Sequence, residues 1–463
     1  MSETAKSRMF RLAAKFHAAM QQWATSWREG CCALAILIAL GSVMCGGTAE
    51  AQEKTRNERI MGDYLEPYVG NNIDKIKESM FPPQGGDFRD ALTALYNAHV
   101  SHREGSPLYH ALDQMSGSIY GTVPTASFQN MVMLHNTLAN YTRRDQNSLR
   151  LQAREGLPEE RFVSNVPQDD YWGMIHGNSG TMQSDGNDGK YRQTLVGFMG
   201  GMNAINNKTY RLGWFFSAGF GELKGNVGDK TGSMELDFGP YFRKDTRNTY
   251  LLVQAGLGFH CYDTKRRLVF GNPDKSDSNW TSNWCLDRTA KGNFDAWLGT
   301  VHLETGLKYR GGPLNLSPFV GVQFTGLSRD KFKESGAGCL NLVSSHQGYN
   351  SFRTMFGMRL DSQAFRLYKG AASMYGNAAW LYEFEQICTR PNEFTARFSG
   401  ADPDKSPKKF TVYGNDPGRD WFQAGFGVNY DIYPHLRASL GYDAYLNTNQ
   451  VMHSLNLGLV RQW

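Results

Sequence analysis

Few stretches of this sequence could carry covalent chemistry. His176-Gly177-Asn178-Ser179-Gly180 contains a serine near a histidine, but it lacks the G-x-S-x-G spacing that lifts a nucleophile onto a strand-to-helix elbow. The glycines of Gly425-Phe426-Gly427-Val428-Asn429-Tyr430 alternate along a strand and open no helix, so they make no dinucleotide loop. His302 and Glu304 lie close in sequence, but no His/Cys cluster has metal-ligand spacing. The reading therefore expects no catalytic residue, no metal and no cofactor, and the protein is not read as an enzyme. What does recur with regular spacing is charge: Arg211, Glu235, Asp237, Arg243, Glu304, Lys308, Arg353, Arg359, Glu383 and Asp431 each alternate with apolar neighbours. Such a mixed field can either conduct solutes or hold a polar plug.

Those charges sit on segments of period two. Tyr210, Leu212, Trp214, Phe216 and Phe220 share one face against Arg211, Gly213, Ser217 and Gly219; Phe422, Phe426 and Val428 oppose Gln423, Gly427 and Asn429. Alternation recurs from Asp170 to Trp463 and divides into twelve strands, roughly 170–183, 193–206, 209–223, 231–245, 249–262, 295–310, 313–328, 350–362, 373–387, 420–433, 435–447 and 451–463. Connections alternate between short ("NNK", "DTR", "RGG", "YPH") and long, with "SQAFRLYKGAA" as the exception. Tight turns on one rim and long loops on the other predict a 12-stranded antiparallel transmembrane β-barrel with an apolar outside and a charged lumen. Composition agrees: 50 Gly, 22 Tyr, 27 Phe and 10 Trp accompany only 40% hydrophobic residues, which suits a thin apolar layer with aromatic girdles. The last strand, ending "NLGLVRQW", would close the barrel and leave no unpaired edge in lipid.

Upstream, Lys6, Arg8, Arg11, Lys15 and Arg28 precede the apolar run "CCALAILIALGSVMC" and Ala49-Glu50-Ala51, which together read as a signal peptide (1–51) cut before Gln52. The run is shorter than the ~20 residues of a spanning helix. Without the leader the net charge falls to about +3, too weak and dispersed for a nucleic-acid partner. Cys261, Cys285, Cys339 and Cys388 remain on the long-loop rim as candidates for disulfides, with Cys261 to Cys285 weighed against free thiols. Residues 52–105 show no repeat. Within the 106–168 linker, a helix over about 127–144, with Ser127 as cap, is too polar for lipid and suits a polar lumen; it carries Asn136 and Asn140.

Five stretches in order resemble the autotransporter (type V secretion) family. Ala111–Asn130 ("ALDQMSGSIYGTVPTASFQN") is similar to the family's stretch joining passenger to translocator, with Ser118 where an acid is usual. "VGFMGGMNAINNKTYRLGWFFSAGFG" looks like its second and third strands; Glu334, Gly336 and Ala337 match a further segment. "AWLYEF" replaces the family's His with Tyr382, and the C-terminal stretch carries Arg461 where an aromatic is usual. The resemblance implies an outer-membrane translocator whose last strand, through Asn456, Gly458, Leu459 and Trp463, is the insertion signal read by the barrel assembly machinery after periplasmic chaperones deliver a monomeric chain. It also implies a very short passenger displayed at the cell surface. Many members cut the passenger from the helix by Asn or Asp chemistry; Asn136 and Asn140 are of the right type, or else simply satisfy lumen groups. The rival readings are a porin plugged by its N-terminal helix, and a compact adhesive module in 52–105.

Overall fold

The computed structural model describes residues 55–69, 106–143 and 171–461, apart from 208, 226–227, 272–284, 312–313, 368–369, 385–391, 402–408 and 434–435. The expected leader and its cut before Gln52, most of 52–105, Cys388 and Trp463 lie outside the described residues. Three helices come first: α1 (Arg56–Val69), α2 (Ser106–Ser116) and α3 (Ile119–Arg143). The strands follow as β1 (Tyr171–Met182), β2 (Tyr191–Asn206), β3 (Tyr210–Gly225), β4 (Lys230–Asp245), β5 (Thr249–Gly271), β6 (Cys285–Leu307), β7 (Tyr309–Gly311), β8 (Leu314–Arg329) and β9 (Phe332–Lys333). After a 3-10 turn at Gly338–Leu340 come β10 (Leu342–Ser344), β11 (Gln347–Ser362), β12 (Phe365–Leu367), β13 (Gly370–Glu383), β14 (Glu393–Phe398), β15 (Phe410–Tyr413), β16 (Asp420–Tyr433), β17 (Leu436–Leu446) and β18 (Gln450–Arg461).

Twelve long antiparallel strands close into a barrel in the order β1-β2-β3-β4-β5-β6-β8-β11-β13-β16-β17-β18, with β18 paired back onto β1 from Met182↔Gln450 to Tyr171↔Arg461. Closure leaves no edge for lipid to meet. Every strand alternates a buried inward residue with an outward one, so Leu455, Leu457 and Leu459 are 55–56% exposed while Ser454 and Asn456 are buried. The barrel is inside-out relative to a soluble domain: its large exposed residues are Phe220, Phe426, Val196, Trp297 and their like. No described helix is long and apolar enough to cross a membrane, whereas the strands present an apolar outer wall.

Four differences from the sequence reading have physical causes. First, β5 and β6 run on to Gly271 and back from Cys285, well past the expected ends at 262 and 295, because Tyr262, Thr264, Arg266, Leu268 and Phe270 keep alternating inward beyond the apolar band. The "TKRR" run looks like a loop but is half of a projecting hairpin. Second, α3 starts eight residues before Ser127, which is no cap: its Oγ bonds back to Val123 O (3.1 Å) within the helix. Pro124 lies inside the helix despite its missing N–H, so tertiary packing overrides the local penalty. Third, the exceptional "SQAFRLYKGAA" is itself paired, since β12 folds onto the start of β13 from Phe365↔Ala372 to Leu367↔Gly370. Fourth, the Cys261 to Cys285 bridge is excluded by register. Cys261 is a free thiol opposite Asp295, while Cys285 pairs with Gly271, ten residues further along β5.

Over the long-loop rim lies a small lid, a sheet in the order β15-β14-β10-β9. Helix α1 docks on it through Tyr64, whose ring meets Phe410 at 4.8 Å and Phe398 at 5.8 Å, with Met61 and Leu65 buried alongside. Its start is fixed by a capping box in which Thr55 N donates to Glu58 Oε2 (2.7 Å) and Glu58 N to Thr55 Oγ1 (3.2 Å). The Asn57 amide pairs with both backbone groups of Tyr413, its Nδ2 donating to Tyr413 O (2.6 Å) and its Oδ1 accepting from Tyr413 N (2.9 Å), and so covers part of the edge of β15. Gly117, at φ 71°, makes the left-handed turn from α2 into α3.

Candidate functional site

The candidate site is the filled lumen. Helix α3 is buried along all 25 of its residues, a run of roughly 37 Å at 1.5 Å per residue, longer than the ~25 Å apolar band it threads. Its polar side chains, which would be costly in lipid, find partners around the wall. Ser127 Oγ lies 2.7 Å from Tyr262 OH. Asn130 donates to Glu235 (3.1 Å) and accepts from Gln193 (2.8 Å). Gln129 Oε1 accepts from Arg353 (3.0 Å), whose guanidinium is also paired with Glu383. His135 is held between the Gln254 amide (2.8 Å) and Thr300 Oγ1 (3.1 Å) and stacks on His302 with centroids 5.6 Å apart. Thr137 donates to Asn456 (3.2 Å), so the asparagine of the expected insertion signal faces the helix; Leu459 points outward. Gly458 has room for little more than hydrogen, because a Cβ there would meet Ser439 Oγ at 2.6 Å.

At the short-turn end the contacts become ionic. Asn140 Oδ1 accepts from Arg359 Nη1 (3.2 Å) and from Arg143, while Arg359 Nε donates to Glu304 (2.9 Å), which also accepts from Tyr250 OH (2.7 Å). Arg211 donates to the last-turn carbonyl of Thr142 (2.8 Å), and Arg143 lies 3.9 Å from Asp361. Cations gathered at the C-terminus of α3 complement its dipole. Around them Arg243 and Lys308 share Asp245, and Arg437 pairs with Asp431 (2.6 Å). Asp237 pairs with His260 (3.0 Å). Of the ten charged residues expected to face the lumen, eight are buried, and Lys308 and Asp431, near the short-turn end, are half-buried in ion pairs with Asp245 and Arg437. Asn136 sits beside Asp443 and Tyr445.

At the long-loop end the helix is clamped by residues the sequence reading did not assemble. Tyr120 OH donates to Glu334 (2.8 Å), and Glu334 pairs with Arg266 (2.6 Å), both side chains wholly shut off from solvent. Arg266 also donates to the carbonyls of Gln114 (2.8 Å) and Leu340 (2.9 Å), so one guanidinium ties α2, the projecting hairpin and the lid together. The Tyr120 ring lies against Phe332 (4.7 Å) and Phe394 (5.0 Å). Arg329, buried, donates to Ser344 Oγ (2.6 Å) and is boxed by the rings of Phe332 and Phe394, each 5.1 Å away. Glu334 was marked by its sequence context, but Arg266 was hidden in a run that read as loop.

Two further contacts fix the entry angle of α3. Gly121 meets the lid backbone directly, since a Cβ on it would lie 2.5 Å from Asn392 O and 2.6 Å from Gly414 N. Asp188, from the β1–β2 connection, accepts from Ser118 Oγ (2.8 Å), Thr122 Oγ1 (3.3 Å) and Gly189 N (2.8 Å). Burial pushes its carboxyl up to about 7, and burial with the neighbouring Asp188 charge pushes Asp113 up to about 8. Ser118, where an acid was expected, is thus a donor to an acid supplied from the loop.

The gaps left between helix and wall are small. Two cavities beside α3, one against Ser127, Glu235 and Tyr262 and one against Leu134, His176 and Asp237, hold about 20 Å³ and 10 Å³. That is space for single waters. The arrangement occludes, and it binds through neutral and charge-assisted hydrogen bonds; no metal-holding cluster occurs among the described residues.

A closed barrel of twelve strands with a helix through it defines a translocator-type outer-membrane barrel. Residues 171–443 match the family model described as the autotransporter beta-domain, and the chain belongs to that family. Two curated relatives, both described as an extracellular serine protease of Serratia marcescens, are 23% and 24% identical over 369 residues, 79% of this chain. The chain spans about a third of their length (32%). Among solved structures it is similar to the translocator domain of the autotransporter NalP from Neisseria meningitidis (14% identity, TM-score 0.48, covering 70% of this chain and 98% of that one). It is also similar to the beta domain of the Bordetella autotransporter Brka (12%, TM-score 0.45, covering 64% and 100%). Family membership places the barrel in the bacterial outer membrane, and its β-domain is a transport fold, not an enzymatic one.

Proposed function

We propose that this chain inserts as an outer-membrane barrel and exports its own N-terminal segment, which it then displays at the cell surface. The observation that carries the reading is the direction of threading. Helix α3 begins at the long-loop rim, under the lid, and ends at the short-turn rim where β1 starts, while α1 and α2, which precede it, are docked on the long-loop side. Long loops belong to the cell exterior and tight turns to the periplasm. The docking of α1 and α2 at the rim opposite the one where β1 begins and β18 ends supports passage of the upstream segment through the pore, with α3 left behind as the plug. A channel plugged from the periplasm would thread the other way.

In this reading Asn456, Gly458, Leu459 and Trp463 form the insertion signal, and the barrel assembly machinery and periplasmic chaperones are the partners in delivery. The test is an epitope placed just after Glu53 and probed on intact cells, with blotting to size the tagged fragment. Exposure on intact cells supports export, and a tagged fragment smaller than the full-length band adds cleavage. Labelling only after the outer membrane is opened would sink the reading in favour of a periplasm-plugged channel.

A further inference from the structure

We infer that the outer wall of the barrel carries a docking row for the phosphorylated glycolipid headgroups of the outer leaflet. The row follows from strand register. Arg192 on β2 pairs with Lys224 on β3, Lys224 with Lys230 on β4, Lys230 with Lys265 on β5, and Lys265 with Lys291 on β6. Five cations thus stand side by side on five consecutive strands, and all five point outward and are exposed.

Depth is set by the same register. Four residues further along the first four strands runs a parallel outward row, Val196, Phe220, Met234 and Cys261, in which Val196 and Phe220 are 62% and 70% exposed; on β6 the register continues it with the exposed Asp295. Four residues of strand, tilted in a barrel wall, lift the cations about 10 Å above the last apolar side chains. That is the depth of headgroups, and the side chains can bend back to meet them.

Like charges directly opposite one another destabilise a sheet unless anions sit between them. One carboxylate does so here: Glu222 is paired with both Lys224 and Lys230. In the intervening row the other acid is Asp263, and on the far side Arg267 adds a cation, itself 3.6 Å from Asp287. Lys265 and Lys291 have a cation or a neutral residue as register partner on each side, Ser335 bridging Lys291. Further round the barrel, on β11 and β13, the outer end of the wall presents rings instead, with Phe352, Trp380, Tyr382 and Phe384 in contact. The cationic row stands on the side that bears the projecting hairpin.

The test uses the purified full-length protein in detergent micelles doped with lipid A, with dephosphorylated lipid A, or with neither plus inorganic phosphate, and measures lipid retained by native mass spectrometry. Wild type should retain lipid A, and the change of all five cations to Gln should weaken retention at least tenfold. Should that variant fail to show the compact gel mobility of a folded barrel, K265Q/K291Q decides, with an expected loss of at least fivefold. Equal retention by variant and wild type overturns the inference. So does equal binding of the dephosphorylated lipid, which would leave only apolar contact, or equal binding of inorganic phosphate, which would mean a free-anion site. The variants should still display an N-terminal tag, so lost binding is separable from failed export.

Discussion

At one end of α3 a single ion pair, Arg266–Glu334, sits dry among Tyr120, Phe332, Phe394 and Leu342; at the other, Arg143, Arg211, Arg243 and Arg359 mix with Asp245, Glu304 and Asp361. Both ends bury charge, but the outer one does so under an apolar lid and the inner one within a polar net. Buried pairs are weak sources of stability when apolar packing could replace them, and costly to break once made. Both ends therefore hold groups that depend on several others, the outer one through a single pair and its neutral partners, the inner one through a wider ionic net.

The largest effect should come from abolishing both ends at once. Deleting Ile119–Arg143 in the full chain should convert a closed barrel in planar bilayers into one that conducts in discrete steps; equal conductance with and without the helix would break the plug account. Next, E334A leaves Arg266 buried and unpaired and should cost about 3–5 kcal/mol, read from the temperature at which compact gel mobility is lost. The double change R266M/E334L should regain only part of that loss: it removes the unpaired charge, but Tyr120 OH, Leu342 N and the carbonyls of Gln114 and Leu340 lose these partners. R359M/E304L should likewise fall short of wild type, because Asn140 and Tyr250 lose partners of their own. Full recovery at either end would show its neutral partners to be dispensable.

A third outcome concerns pH at the outer end alone. Because burial raises Asp188 to about 7 against an ordinary value of 3.8, the folded state keeps a proton that the unfolded chain gives up. The associated stability is full below about pH 4, declines as pH rises toward 7 and is flat above, a change of a few kcal/mol. Asp113 adds the same sign at slightly higher pH. Hydrogen exchange in the first turns of α3 should quicken over that interval in the wild type and much less in D188N. The smallest effect is steric: G121A, which forces a methyl against Asn392 O and Gly414 N, should cost about 1–3 kcal/mol and loosen the lid before the inner end.

Much of the wall was legible from sequence because lipid on one side and a polar lumen on the other impose an unbroken period of two. The charged lumen residues fell out of the same parity. Ends of elements were less legible. Arg266 and Leu268 continue the alternation of β5, but the neighbouring Lys265 and Arg267 look like loop residues when no lid is in view. The start of α3 was obscured by Gly121 and Pro124, both poor helix formers whose positions are set by the lid. The lid itself was invisible, since its strands β14 and β15 are only 6 and 4 residues long and are joined by a charge-rich connection. One signal was present and went unused: Thr55-Arg-Asn-Glu58 is a capping box that marks the start of α1.

The hydrogen bond from Thr137 to Asn456 joins residues 319 apart in the chain. Contacts of such sequence separation form late and slowly, because the loop between them must be closed before they return any free energy. In kinetic terms the last strand is also the last wall of the socket for α3. Until β18 pairs with β1 and β17, the helix lacks its Asn456 contact, so the socket is complete only once the C-terminal strand has closed the barrel.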